Sequence, residues 1–313
     1  MIKNIAVIGA GTMGRGIASY FAMHGCEVHL YDQSEVVRKN TLDEIEKNSQ
    51  FMINHKLSQI NQVSKILSKI KLFSNLELAV KNADYVIESI LEDVKLKNEL
   101  FIKLDSMCPE HTIFATNTSS LSLGEIISGL SDSRKSRALV SHWYNPSYLM
   151  PLVEVSYFGN TLESVSKEVF DFYVSIGKKP VKILKDVPGM LANRLLHALA
   201  REAFSLIENG VATAEDIDSA LKFGPAFRAA ATGMLEVADI GGLDIWLIAG
   251  DNIFPHLENS NKASDMLRQK VKDGMLGIKS GEGFYKYPSE TKNTALQEFN
   301  KRLALQLAVS ENY

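Results

Sequence analysis

The chain has 313 residues, 45% hydrophobic and 23% charged, which suits one large domain or two of ordinary size and allows a sizeable core. A formal net charge of -3 gives no reason to expect nucleic-acid binding, and Cys26 and Cys108, the only cysteines, lack the CxxC spacing of a metal or redox motif. No apolar run approaches the roughly 18 residues of a membrane span, and MIKNIAVIGAG leaves no room for a signal peptide, so a cytoplasmic protein with no membrane partner is expected.

The first half alternates short apolar runs with helical periodicity. IAVIGA (5–10) reads as a buried strand, residues 14–25 as a helix, and EVHLYD (27–32) as a second strand. Between residues 35 and 70 come two polar, Lys-rich helical segments with a break near HKLSQ (55–59). They read as an exposed helical hairpin inserted in the sheet domain. YVIESI (85–90), TIFATN (112–117) and ALVSHWY (138–144) follow as strands. Strands separated by helical stretches imply βαβ units and a parallel sheet covered on both faces. SHWYNPSYLMPLVEV, Ser141 to Val155, then reads as a half-buried hairpin that spends a histidine and a glutamate where valines would fold better.

KKPVKIL (178–184) is the last expected strand. DVPGM (186–190) punctuates the chain, with Pro188 able to sit in the first turn of a helix over 189–209. Thr213 opens a helix over 213–222, with Asp216 three residues later, close to a capping box. Further helices run to the end. The expected organisation is an α/β domain over 1–185 followed by an all-α domain over 186–313, without internal repeats.

GAGTMG (9–14) matches GxGxxG directly after a strand and at the opening of a helix. Gly9 would make the tight turn, Gly11 would let the backbone approach a pyrophosphate, and Gly14 would let the helix pack close to the strand. Thr12 and Met13 lie in the first turn, where free N–H groups and a partial positive charge face the phosphates. Asp32 ends the second strand, 21 residues after Gly11, where a carboxylate would bind the ribose 2′-OH. Gln33 and Ser34 follow it rather than an arginine, so a 2′-phosphate would meet negative charge without a counter-ion. NAD rather than NADP is the inferred cofactor. A purely structural glycine turn is the plainer alternative, and the strand, the helix and Asp32 together argue against it.

Several stretches together resemble the 3-hydroxyacyl-CoA dehydrogenase family: GAGTMG, ESILEDVKLKNELF (88–101), TNTSSL (116–121), SHWYNP with LVEV, KDVPGMLANRLL (185–196), NGVATAEDIDSAL (209–221) and GIKSGEGFYKY (277–287). They stand in family order from residue 4 to about 287. The resemblance implies a Rossmann-type NAD-binding domain with an inserted helical hairpin, then an all-α domain that dimerises. It makes His142 the catalytic base and Glu154 its partner, with Ser119 and Asn193 at the substrate oxygen. It places Glu92 and Lys97, with Asn117 and Asn145 close by, on the nicotinamide side.

The chemistry stands beside the name. Removing a hydride from a secondary alcohol leaves a hydroxyl proton, and histidine titrates near the pH where it can take it. A carboxylate on the other ring nitrogen holds the tautomer and stabilises the imidazolium. Plainer readings exist for each residue: a hydrogen-bonded strand histidine, a solvent-facing Glu154, a capping Ser119, and a polar helix position at Asn193. Ser119 and His142 lie just past strand ends, where such sheets bind ligands, and this favours the functional reading.

In the family the helical hairpin is the platform for coenzyme A, and Asn48, Ser49, His55 and Lys56 fall where its contacts lie, with identities other than the usual serine and lysine. A solvated amphipathic pair is the alternative there. FGPAFRAAATGMLEVADIGGLD (223–244), with Arg228, departs from the usual pattern and is similar to relatives that oxidise free hydroxy acids such as carnitine and gulonate. The usual acyl-CoA pattern H-F-F-N-P-x-x-x-M-x-L-V-E-V is also altered in SHWYNPSYLMPLVEV, and residues 289–313 form an extra helix. Three readings follow: a short-chain L-3-hydroxyacyl-CoA dehydrogenase, a dehydrogenase of a free β-hydroxy acid held by Arg228, and an NAD(H)-binding protein without catalysis.

Overall fold

The computed structural model describes residues 2–310 and 312. The chain divides into two compact units, Met1–Asn193 and Arg194–Tyr313. The first is built on eight strands: β1 (Asn4–Ile8), β2 (Glu27–Tyr31), β3 (Ile70–Phe73), β4 (Tyr85–Glu88), β5 (Ile113–Thr116), β6 (Ala138–Trp143), β7 (Leu152–Ser156) and β8 (Lys179–Ile183). They form one sheet in the order β3-β2-β1-β4-β5-β6-β7-β8. Every neighbouring pair is parallel except β6–β7, whose antiparallel register puts His142 directly opposite Glu154.

Between the strands lie α1 (Thr12–Met23), α2 (Glu35–Asn54), α3 (Val63–Ser68), α4 (Leu76–Val80), α5 (Val94–Met107), α6 (Leu123–Ile126), α7 (Asp132–Lys135) and α8 (Glu163–Ser175). Local chemistry starts them: Ser34 caps α2 through Val37 N–H, and Asp93 caps α5 through Leu96 N–H. The interiors of β1, β4 and β5 are apolar on both faces, as a sheet covered by helices requires. Ala6, Ile8, Val86 and Phe114 face one core with Phe101 and Leu104 of α5. Tyr85 of β4, Trp143 of β6 and Tyr173 of α8 are fully buried as well, joined through the Tyr173 hydroxyl.

Several expectations need correcting. The hairpin over 35–70 ends in a strand, β3, whose short IKLF run follows α3 too closely for periodicity to separate them. It is also not wholly exposed: Thr41, Ile45, Ser49 and Met52 form one buried stripe along α2. The β6–β7 pair is buried at every position but the partly buried Leu152, rather than half-buried, because β8 continues the sheet beyond it.

The second unit comprises α9 (Ala192–Glu208), which begins in the first unit, α10 (Ala214–Phe223), α11 (Pro225–Thr232), α12 (Met234–Gly241), α13 (Leu243–Ile253), α14 (Asp265–Lys272) and α15 (Lys292–Ser310). The helix expected from residue 189 starts at Ala192 instead, because Gly189 (φ 80°) and Met190 (φ 48°) hold left-handed backbone. Thr213 does cap α10, accepting from Asp216 N–H and donating to the Asp216 carboxylate. Among the described residues of this unit, only Ala238, Gly250 and Ala304 are buried. No helix of the described residues is long and apolar enough to cross a membrane.

Candidate active site

The turn between β1 and α1 is fixed by two glycines. Gly9 sits at φ +100°, and a Cβ there would fall 2.5 Å from the Ser89 carbonyl oxygen. A Cβ on Gly14 would fall 1.8 Å from the Gly9 carbonyl oxygen, so helix and turn close only on hydrogen. Gly11 differs: a Cβ there would meet nothing within 4 Å. Its open side faces the space a pyrophosphate needs, and this is the fit expected of a dinucleotide loop.

A cleft of about 680 Å³ opens from this turn. Gly9, Gly11, Thr12, Met13, Asp32, Gln33, Glu92, Lys97, Asn117 and Ser119 all line it, so the structure brings these predicted residues together. Asp32 is anchored by Ala10 N–H (2.8 Å) and Ser34 N–H (2.8 Å). An arginine does reach this corner: Arg38, six residues on along α2, donates 2.6 Å to the Asp32 carbonyl oxygen. Its distance in sequence hid it from a reading that looked only at the residues after Asp32. Asn145 is exposed, just past β6.

Lys97 is buried, and its ammonium contacts Glu88 (2.7 Å) and Glu92 (3.2 Å). Glu92 also accepts from the Thr118 hydroxyl (2.6 Å), Ser119 N–H (3.0 Å) and the Ser119 hydroxyl (3.4 Å). Burial pushes the Glu92 carboxyl up, but the Thr118 hydroxyl, the Lys97 charge and the Ser119 N–H outweigh it and hold it down at about 2. Glu88 further accepts from the Thr116 hydroxyl (2.7 Å) and Ile90 N–H (2.7 Å). Sequence reasoning missed Glu88, Thr116 and Thr118. The available signal was a carboxylate closing the apolar strand YVIE, which a buried strand tolerates only with a partner.

At the C-terminal end of β6, His142 Nδ1 lies 2.8 Å from Glu154 Oε2. Both residues are buried, with His142 6% exposed and Glu154 fully enclosed. The second carboxylate oxygen, Oε1, accepts from Leu191 N–H (2.9 Å) and Ala192 N–H (3.0 Å) at the start of α9. One carboxylate thus ties the histidine to a helix N-terminus, where negative charge is favoured. Burial pushes Glu154 up, yet the His142 hydrogen bond and those two N–H groups hold it below the usual carboxylate range. Asn193 is the second residue of α9, and its Oδ1 accepts 2.9 Å from the Tyr144 hydroxyl. Asn117 Oδ1 accepts from Trp143 N–H (2.8 Å), joining the end of β5 to the end of β6.

The residues expected to hold coenzyme A are less uniform. Ser49 is buried, donates to the Ile45 carbonyl (2.7 Å) and lies 3.5 Å from the Ser19 hydroxyl, so its hydroxyl serves the α1–α2 packing. His55 is the C-cap of α2, with Nδ1 2.8 Å from the Phe51 carbonyl. Lys56 follows at φ 60° and is exposed, and Asn48 is partly exposed. Arg228 lies exposed on α11 of the second unit.

The glycine turn, the cleft and the His–Glu pair at strand ends define a dinucleotide-dependent oxidoreductase. The model of the 3-hydroxyacyl-CoA dehydrogenase NAD binding domain matches residues 4–187, and that of the 3-hydroxyacyl-CoA dehydrogenase C-terminal domain matches residues 189–287. The chain belongs to the 3-hydroxyacyl-CoA dehydrogenase family, and its cofactor is NAD. It is 38% identical over 298 residues to the mitochondrial hydroxyacyl-coenzyme A dehydrogenase of Rattus norvegicus, covering 92% of each chain. A solved structure of 5-formyl-3-hydroxy-2-methylpyridine 4-carboxylic acid 5-dehydrogenase, an NAD+ dependent dismutase, matches with TM-score 0.91 and 30% identity, covering 99% of both chains. The (S)-3-hydroxybutyryl-CoA dehydrogenase of Ralstonia eutropha matches with TM-score 0.73 and 30% identity, over 92% of this chain and 100% of that one. The family is one of oxidoreductases, so the reading as a binder without catalysis is dropped.

Proposed function

We propose that the chain oxidises a secondary hydroxyl to a ketone, with His142 as general base. The observation that carries this is the buried His142–Glu154 hydrogen bond at 2.8 Å. A carboxylate only accepts, so Nδ1 carries the proton and Nε2 keeps its lone pair. Nε2 takes the hydroxyl proton, and Glu154 stabilises the imidazolium that forms. Asn193 and Ser119 donate to the oxygen as its charge changes. NAD, when bound, supplies the hydride acceptor. The glycine loop would hold its pyrophosphate, Asp32 and Gln33 its ribose, and Glu92, Lys97, Asn117 and Asn145 the nicotinamide side.

For the substrate, the first reading is a short-chain L-3-hydroxyacyl-CoA, supported by 38% identity to a hydroxyacyl-coenzyme A dehydrogenase. A free hydroxy acid, its carboxylate held by Arg228, is the second. It is supported by the 0.91 match across the whole chain, α15 included, to an enzyme whose name carries a free carboxylic acid. The internal use of the Ser49 hydroxyl also removes one expected coenzyme A contact. An arginine fork suits a carboxylate.

The second unit buries almost nothing of itself, while Leu235, Ile240, Phe227 and Phe254 are each at least 70% exposed. This exposed apolar surface, which a second copy would cover with the same helices, supports the reading of a homodimer. Unpaired Cys26 and Cys108 support a reducing compartment such as the cytoplasm.

The test is steady-state turnover with NAD(H) over acetoacetyl-CoA and 3-hydroxybutyryl-CoA, free 3-hydroxybutyrate, carnitine, gulonate and 5-formyl-3-hydroxy-2-methylpyridine 4-carboxylate. His142→Gln is expected to lower kcat about a hundred- to ten-thousand-fold while leaving NADH affinity intact. Unchanged turnover would refute the base assignment.

A further inference from the structure

Tyr144 stands two residues after His142, and its hydroxyl donates a 2.9 Å hydrogen bond to Oδ1 of Asn193. The His142 and Tyr144 rings meet edge to face with centroids 6.0 Å apart. In the usual H-F-F-N-P pattern this position is phenylalanine, so the hydroxyl is an addition to a ring the fold already accommodates.

A carboxamide presents two groups of opposite polarity on nearly the same shape: Oδ1 only accepts and Nδ2 only donates. The reacting oxygen, having given its proton to His142, is an acceptor and needs a donor beside it. An unanchored Asn193 could turn either group towards it. A phenol that donates to Oδ1, as the Tyr144 hydroxyl does here, favours the orientation that leaves Nδ2 towards the reacting oxygen.

We propose that Tyr144 is a positioning residue: by donating to Asn193 Oδ1 it holds the carboxamide with Nδ2 free to donate to the reacting oxygen. This rests on the reading in which Asn193 holds that oxygen. Burial and the nearby Glu154 charge raise the Tyr144 phenol above its ordinary value, so it stays a donor through the neutral range. Tyr144 transfers no proton, and its effect reaches the substrate only through Asn193.

Tyr144→Phe removes the hydroxyl and keeps the ring of the usual family pattern. With whichever compound of the panel above is turned over fastest, kcat is expected to fall about five- to tenfold, with NADH affinity by fluorescence titration held within about twofold. The primary deuterium isotope effect from 4-deuterated NADH should rise. In an Asn193→Ala background the same substitution should cost nothing further, because the group it positions is gone. Unchanged kcat in Tyr144→Phe, or an equal loss in both backgrounds, overturns the proposal. If Asn193→Ala leaves kcat unchanged, the assignment of Asn193 fails and the proposal with it.

Discussion

At the scale of single residues, the site works by giving its charged side chains dedicated partners. Glu154 divides its oxygens between His142 and the first N–H groups of α9. Glu92 gathers Lys97, Thr118 and Ser119. The second arrangement has a consequence for pH. The folded Glu92 carboxyl is held at about 2 against an ordinary 4.5, so its stabilising share is complete above 4.5 and is lost as pH falls through about 2. Glu92→Gln is therefore expected to lose stability at neutral pH and to flatten the acid dependence between those values. Urea midpoints at pH 6 and pH 3 check this, and an equally steep acid dependence in the variant would contradict it. The bare side chains His142, Glu154 and Asp32 were legible in the sequence because polar groups within or just past apolar strands break the pattern. Glu88, Thr118 and Tyr144 were not, since their meaning lies in what they touch.

At the scale of elements, the glycine-loop helix is locked to the loop that leaves β6. The Ser147 hydroxyl donates 3.1 Å to the Met13 carbonyl, and a Cβ on Gly16 would lie 2.2 Å from that same hydroxyl oxygen. Lys178 holds the loop from behind, with its Nζ bonded to the carbonyls of Ser147 (2.9 Å) and Met150 (2.7 Å) and set over the Tyr20 and Trp143 rings. The glycine loop and the strand that carries His142 are thus parts of one packed contact. Gly16→Ala should cost about 1–3 kcal/mol of stability by overpacking and weaken NADH binding together with it. Thermal melts with and without NADH measure both, and removing the opposing side chain in Gly16→Ala/Ser147→Gly should recover part of the loss. A Gly16→Ala protein that melts like the unmodified chain would show that the loop gives way freely. Periodicity alone could not have found this contact, because Gly16 and Ser147 are far apart in sequence and neither breaks its local pattern.

At the scale of the whole molecule, the two units differ in kind. The first buries its apolar residues in the ordinary way, from Ile5 and Val7 of β1 to Val155 of β7. The second leaves Leu195, Ile240, Leu247 and Phe254 more than half exposed. Ordering a residue costs about 1–2 kcal/mol in backbone entropy, and a helical unit that buries so little apolar surface cannot offset this alone. Light scattering after size exclusion should give twice the 34.7 kDa chain mass, with a melting temperature that rises with protein concentration. A monomer at micromolar concentration would rule out the homodimer.

The amino-acid sequence by itself determined the class of fold and the cofactor, which follow from local periods and glycine spacing readable within a few positions. The residues that could do chemistry came from its resemblance to a known family. The pairing of His142 with Glu154 was already expected, and the tertiary structure supplied its antiparallel geometry; it alone decided that Ser49 is spent on helix packing and that Tyr144 reaches Asn193. The reason is physical. A hydrogen bond depends on a few tenths of an ångström between groups brought together by the sheet order, and that order is set by packing over the whole chain rather than by any stretch of it.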